Sequence, residues 1–348
     1  MNTAILGIGT VTALGCGIAS LKNGLEGAKQ PAIRLHSIDT AAGPISMPVY
    51  QVEIQGLDHF VPRASLRRID RFPQMALLSA SLAVEDSGGQ LAEDRSRVGI
   101  VFGSAYGPAH TTFRFLDSVI DFGDRCASPT PFATSVHNSP ASLVSMSLGI
   151  TGPAITITCF EQTAKAVFEA AEMWLRSGAV DQVLVGLGDE YCPVLGYSVA
   201  NFASGFSDIR PFDFRQCSYI PGEAFVCFLL GRHSEKCYAT IGSDAYADYL
   251  FLAANGEKQS ASGYERWVQS EKRCAAYSPL FGSMPLGVGV DIALAALSVR
   301  HGLIHPAPAS TFRAPVPLAE NETIGCLQCW NGGRFSICLQ KPSAGAPL

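Results

Sequence analysis

The chain has 348 residues, of which 47% are hydrophobic and only 16% charged, with a formal net charge of −5. Such a composition builds a large buried core, read here as two α/β halves, and the absence of a basic block argues against nucleic acid as a partner. The 11 cysteines are odd in number, irregularly spaced and set in apolar runs, so they read as small hydrophobes of a reduced, cytoplasmic protein, not as a disulfide framework.

Residues 3–21 carry no charge. A signal peptide needs a positive segment ahead of its apolar stretch, and Gly7, Gly9, Gly15 and Gly17 interrupt the run too often for a membrane helix. The stretch is read as a strand over Ala4–Leu6, a glycine turn and a helix. Gly7-Ile8-Gly9 lacks the third glycine and the later acid of a dinucleotide fingerprint, and a tight strand-to-helix turn is the simpler reading.

Farther on, apolar residues at helical spacing predict helices over Phe72–Asp86, Ser139–Leu148, Thr163–Ser177 and Gly287–Arg300. Between them, β-branched and apolar runs predict strands at Val98–Phe102, Ile155–Thr158, Val183–Gly186, Ala224–Leu230, Leu250–Ala253, Ile324–Leu327 and Phe335–Leu339. This alternation predicts an α/β protein with mostly buried sheets. The stretches Asp117–Phe132 and Ser204–Pro221 read as long loops covering a site or an interface. A polar interruption at Gly231–Cys237 divides the chain into 1–235 and 236–348, and residues 341–348 read as a frayed tail.

Candidate chemistry is sparse. Cys326 and Cys329 form a lone CxxC without a second ligand pair, so no metal is expected, and no motif calls for a cofactor. His137 precedes a helix capped by Asn138 or Ser139, with Pro140 in the first turn, and reads as structural. His301 and His305 flank the end of the last predicted helix, where a cation suits the dipole. The sharpest change of character comes at Cys159-Phe160-Glu161-Gln162, between an apolar strand and an Ala-rich helix. That is a setting in which a thiol can be activated, though Cys159 still lies on the strand side of the turn.

The stretch Gly152–Ala171, continued by "SGAVDQVLVGLGDE", resembles the nucleophile region of the β-ketoacyl synthases, members of the thiolase superfamily. "IRPFDFRQCSYIPGEAF" is similar to that family's RPFD segment. Further similarity lies in "ILGIGTVTALG", "LRRIDRFPQMALLSASLAVEDSG", "RVGIVFGSAYG", "PTPFATSVHNSPASLVSMSLGITGP" and "WNGGRFSICL". The resemblance covers nearly the whole chain in order and is weakest over 237–277. It implies a thiolase-like fold of five layers, α/β/α/β/α, built from two related halves.

It also implies what is missing. Counting from Pro153 forward and from Gly178 back, the nucleophilic cysteine of the family falls on Glu161, or one residue on, at Gln162. The family's two histidines fall on Asn255 and Ser283, and its lysine falls near Ser278. These groups together perform decarboxylation and condensation, so the resemblance implies a degenerate subunit. It is similar to the chain length factors that pair with an active ketosynthase in type II polyketide systems, and in subtype to those of aryl polyene systems. The family dimerises through the strand leading to the nucleophile turn, which places Ile155 and Ile157 at the expected interface and Phe160 and Phe202 beside a tunnel for the growing acyl chain. Acyl carrier protein is expected to reach the pair through the partner. Two other readings stand beside this one: an enzyme of altered chemistry, decarboxylating malonyl-carrier protein or transferring acyl groups through Glu161 or Cys159, and a homodimeric binder of acyl chains or carrier protein.

Overall fold

The computed structural model describes residues 3–27, 29–67, 69–201, 208–232, 237–242, 247–270 and 273–342. Its centre is one continuous path of strands. In spatial order they are Ala309–Ser310, Arg273–Ala276, Tyr249–Leu252, Thr323–Trp330, Gly333–Gln340, Ala239–Gly242, Thr3–Thr12, Ala224–Arg232, Gln182–Asp189, Val98–Gly103 and Ala154–Ile157. The two halves are built alike. Each has parallel pairings toward its outer side (Val98–Gly103 with both neighbours, Tyr249–Leu252 with both neighbours) and antiparallel pairings toward the middle.

The layers follow from the period-two alternation of the strands. In Gln182–Asp189, Val183, Val185 and Leu187 face an inner core while Leu184 faces an outer one. In Ala224–Arg232, Val226, Phe228 and Leu230 face inward and Phe225, Cys227 and Leu229 outward. The inner core is filled by the helices Thr163–Arg176 and Val288–His301, which pack on strands of both halves. Helix Val288–His301 is buried from Val288 through Val299, as a helix between two sheets must be. Helix Arg71–Asp86 covers the outer face of the first half and Ala261–Val268 that of the second. The order helix, sheet, helix, sheet, helix is the five-layered arrangement expected from the sequence.

Two local readings are corrected. The N-terminal strand does not turn at its first glycines but runs over Thr3–Thr12, with the turn deferred to the short pairing at Gly15–Cys16 and the helix to Ile18–Leu25. Gly7 and Gly9 serve close packing instead: a Cβ on Gly9 would lie 1.9 Å from the carbonyl oxygen of Ser79, and one on Gly7 would lie 2.2 Å from that of Ala83. These glycines let helix Arg71–Asp86 lie directly on the strand. The stretch Asp117–Phe132 is not a loop. Helix Ala109–Phe122 runs into it, followed by the 3₁₀ segment Asp124–Cys126 and the short helix Pro129–Thr134. Its apolar residues Leu116, Ile120 and Phe122 are exposed. The described part of the other long stretch, 208–221, has no regular helix or strand, as expected.

Candidate functional site

The site is built where parallel strands of the first half end. Strand Ala154–Ile157 stops at Thr158, and the chain turns through Cys159 and the 3₁₀ segment Phe160–Gln162 into helix Thr163–Arg176. The buried Thr163 hydroxyl accepts the Cys159 N–H at 2.8 Å and closes the turn. Phe160, with φ of 49°, is the sole non-glycine residue in the left-handed region among the described residues. Holding a bulky residue there costs on the order of 1–3 kcal/mol. The turn directs Phe160 and Glu161 into the wall of a cavity of ≈ 190 Å³.

The same cavity is lined by Asn255 and Ser283, so three positions widely separated in sequence meet in one wall. Gln162 is exposed and does not line it, nor does Cys159, whose side chain is exposed on the strand side of the turn. Ile155 is exposed and Ile157 half-buried on the terminal strand, away from the cavity. Phe202 lies outside the described residues. His137 is exposed beside Gly107, and neither it nor His301 nor His305 lines the cavity.

The Ser283 hydroxyl is committed as a donor, and the Asn255 amide spends one of its two N–H groups on a long contact. The Ser283 hydroxyl donates to the Asn255 carbonyl at 2.6 Å and accepts the Ile220 N–H at 3.2 Å. The Asn255 amide donates to the Met284 carbonyl at 3.5 Å, and its Oδ1 accepts the Glu257 N–H at 3.1 Å. Ser278 donates to the Ala254 carbonyl at 2.7 Å. These side chains brace the cavity wall, and an oxyanion hole needs preorganised donors aimed at the developing charge.

Other cavity residues escaped the sequence reading. Asp189, 1% exposed at the end of its strand, accepts three donors on Oδ1: Ser104 Oγ at 2.7 Å and the Ala105 and Tyr106 N–H groups, each at 2.9 Å. Asp189 thereby holds the loop that carries Tyr106, whose ring meets Phe160 edge-on at 6.1 Å. Glu257 lies two residues past Asn255 in the wall. The signal for Asp189 was its charge at the end of an apolar strand. Tyr106 and Glu257 carried none.

Burial dominates the electrostatics. It pushes the Asp189 carboxyl up to about 7 despite its three hydrogen bonds, and the neighbouring Glu190 up to about 8, with Glu223 adding to the rise. Burial and then Glu161 raise Glu257. Burial, followed by Asp189, Glu257 and Glu161, keeps the Tyr106 hydroxyl protonated. Below the ordinary carboxylate range the folded and unfolded forms of Asp189 are both protonated. Above about pH 4 the unfolded chain releases its proton while the folded chain keeps it to about pH 7, so this group's contribution to stability falls as pH rises through that window. Asp189→Asn keeps the Oδ1 acceptor and removes the titration. The variant is expected to gain about 2–4 kcal/mol relative to the parent between pH 4 and pH 8 in urea melts. An unchanged difference across that range would refute the assignment.

No group of three His, Cys, Asp or Glu side chains is placed to hold a metal among the described residues, and none of the described helices is long and apolar enough to cross a membrane.

Comparison with known proteins gives this geometry its context. The family model for the β-ketoacyl synthase N-terminal domain matches residues 3–236. The 3-oxoacyl-[acyl-carrier-protein] synthase 2 of Coxiella burnetii is 25% identical over 298 residues, which are 80% of this chain and 70% of that protein. The synthase 2 of Staphylococcus aureus strain MRSA252 is 25% identical over 268 residues, 74% of this chain and 63% of that protein. Among solved structures, the ishigamide ketosynthase/chain length factor superposes with a TM-score of 0.78 at 17% identity, over 98% of this chain and 99% of that one. A type II polyketide ketosynthase complex with its acyl-carrier protein, AntDE:AntF, superposes with the same score at 14% identity, over 98% and 99%. With the five-layered fold and the converging positions at the turn, these matches show that the chain belongs to the β-ketoacyl synthase family.

Proposed function

We propose that this chain is a non-catalytic, chain-length-determining partner of an active β-ketoacyl synthase in a polyketide or fatty-acid-type pathway, with an aryl polyene system as its more specific setting. The observation that carries the proposal is the content of the cavity. It is walled by Glu161, Glu257 and Asp189, and no thiol-bearing turn residue, histidine, lysine or arginine lines it. Condensation begins with a thiolate that accepts an acyl group and proceeds through an enolate that donors or cations must stabilise. A carboxylate at the turn performs neither task. A carboxylate at the turn also opposes entry of a malonyl carboxylate, which counts against decarboxylation as the retained activity.

In this proposal the active partner docks on the strand Ala154–Ile157, where an unpaired edge favours strand addition. The strand ends the sheet, and Ala154 and Ile155 are exposed along it. Phe160 is 56% exposed beside the same strand, in position to wall a tunnel shared by the two subunits. Carrier protein and the growing chain then engage through the partner.

Native mass spectrometry after co-expression with the ketosynthase encoded beside this gene is expected to give a one-to-one heterodimer. Incubation of the chain with malonyl and acyl thioesters is expected to release no CO₂ and to leave no adduct on Cys159. A homodimer that ignores the ketosynthase, or turnover of malonyl thioester, would overturn the proposal.

A further inference from the structure

The backbone of Phe160, with φ of 49°, is one that glycine adopts at no steric cost. Every other residue with positive φ among the described residues is in fact a glycine. A phenyl side chain persists in this conformation only where its surroundings fix it. Two contacts do so here. The Thr163 hydroxyl accepts the Cys159 N–H at 2.8 Å and closes the turn. The Tyr106 ring meets Phe160 edge-on at 6.1 Å, and Asp189 holds the Tyr106 backbone by accepting its N–H at 2.9 Å. A sharp, strained strand-to-helix turn presents one side chain at its apex, the place where α/β hydrolases carry their nucleophile. In this chain the strained residue is Phe160, one position before Glu161, and its side chain has no group that reacts. It has instead a ring that borders two spaces. Phe160 lines the cavity of ≈ 190 Å³ together with Tyr106, and it is 56% exposed next to the edge strand Ala154–Ile157.

We propose that Phe160, backed by Tyr106, is a stop between the partner's chain tunnel and this subunit's own cavity, and therefore a residue that determines chain length. This rests on the proposed function, which brings the growing chain to the face beside Ala154–Ile157. A chain that arrives there meets the exposed side of the ring. Behind the ring lies a space of the order that admits a benzene-sized group, and the chain stays out of it while the ring stands. The strain is what aims the ring. A turn relaxed to negative φ points the Cβ of residue 160 elsewhere and takes the ring off Tyr106.

The test is the length of the product made by the heterodimer with the ketosynthase encoded beside this gene, supplied with acetyl- and malonyl-carrier protein and read by mass. Phe160→Gly suits the backbone of the turn and removes the ring. It is expected to lengthen the product by about one to three two-carbon units, the room that a benzene-sized space offers. Tyr106→Ala removes the support of the ring and is expected to shift the length in the same direction by less. Phe160→Trp keeps a stop in place and is expected to give no longer product. A Phe160→Gly heterodimer whose product is scarcer but of unchanged length would overturn the inference, because the ring then only supports the turn. Equal lengthening by Phe160→Trp would overturn it too. If Phe160→Gly does not fold, unchanged length in the Tyr106→Ala heterodimer decides against it instead. A parent chain that forms no heterodimer removes the proposed function and this inference together. Assembly with unchanged length in Phe160→Gly refutes the inference alone and leaves the proposed function standing.

Discussion

Glu161→Cys is expected to produce no β-keto product above background, either alone or paired with a synthase whose own cysteine has been removed. The new thiol sits at the cavity wall before the helix Thr163–Arg176, so a reactive acyl thioester is expected to leave one acyl group on it, detectable by mass. Condensation stops there. Removing one oxyanion-stabilising donor from an enzyme typically costs about 10²–10³ in turnover, and in this cavity wall the Ser283 hydroxyl is committed to the Asn255 carbonyl and one Asn255 N–H to the Met284 carbonyl. The remaining wall is acidic, which opposes an enolate. A condensation rate within roughly tenfold of the active partner would sink the non-catalytic reading, because it would mean that the frame still supplies the missing stabilisation.

The largest effect on stability is expected from Glu223→Ala. The Glu223 side chain is fully buried and accepts the Val52 N–H at 2.9 Å, the Tyr191 N–H at 3.1 Å and two nitrogens of the Arg71 guanidinium. Arg71 opens the outer helix Arg71–Asp86 and also donates to the Val52 carbonyl. One carboxylate thus ties the segment after the hairpin Ile33–Thr40/Gly43–Tyr50, the start of a helix, and the residue beside Glu190 in the cavity wall. Removing the carboxylate leaves the two N–H groups buried without an acceptor, at about 1–3 kcal/mol each, while Arg71, 32% exposed, can turn to water, so a loss of about 2–5 kcal/mol is expected. Glu223→Gln retains an acceptor and is expected to lose less, about 1–3 kcal/mol. Urea unfolding of both variants checks the order. An alanine variant as stable as the parent would show that Arg71 and the two amides find other partners.

The two experiments separate frame from chemistry. Glu223 belongs to the buried frame around the cavity, and Glu161 to the cavity wall itself. A stable protein with an inert cavity is the combined expectation.

The sequence by itself determined the alternation of strands and helices, because core-facing residues repeat every two or every 3.6 positions whichever partners they meet. It located the turn at Cys159–Gln162 by its abrupt change of composition, and by ordered resemblance it brought Glu161, Asn255 and Ser283 forward as one set. It misread the first glycines as a turn, since a glycine needed for close approach of a helix looks the same in sequence as one needed for a bend. It missed the helix Ala109–Phe122, although Phe113, Leu116, Val119 and Ile120 stand at helical spacing there. Only the tertiary structure decided what the site holds. Asp189 meets Ser104 across 85 residues and Ser283 meets Asn255 across 28, and neither pairing leaves a mark in local spacing. Whether a serine is a free donor or a brace depends on which carbonyl lies within reach of it. That distance is set by how strands and turns far apart in the chain pack together, not by the residues on either side.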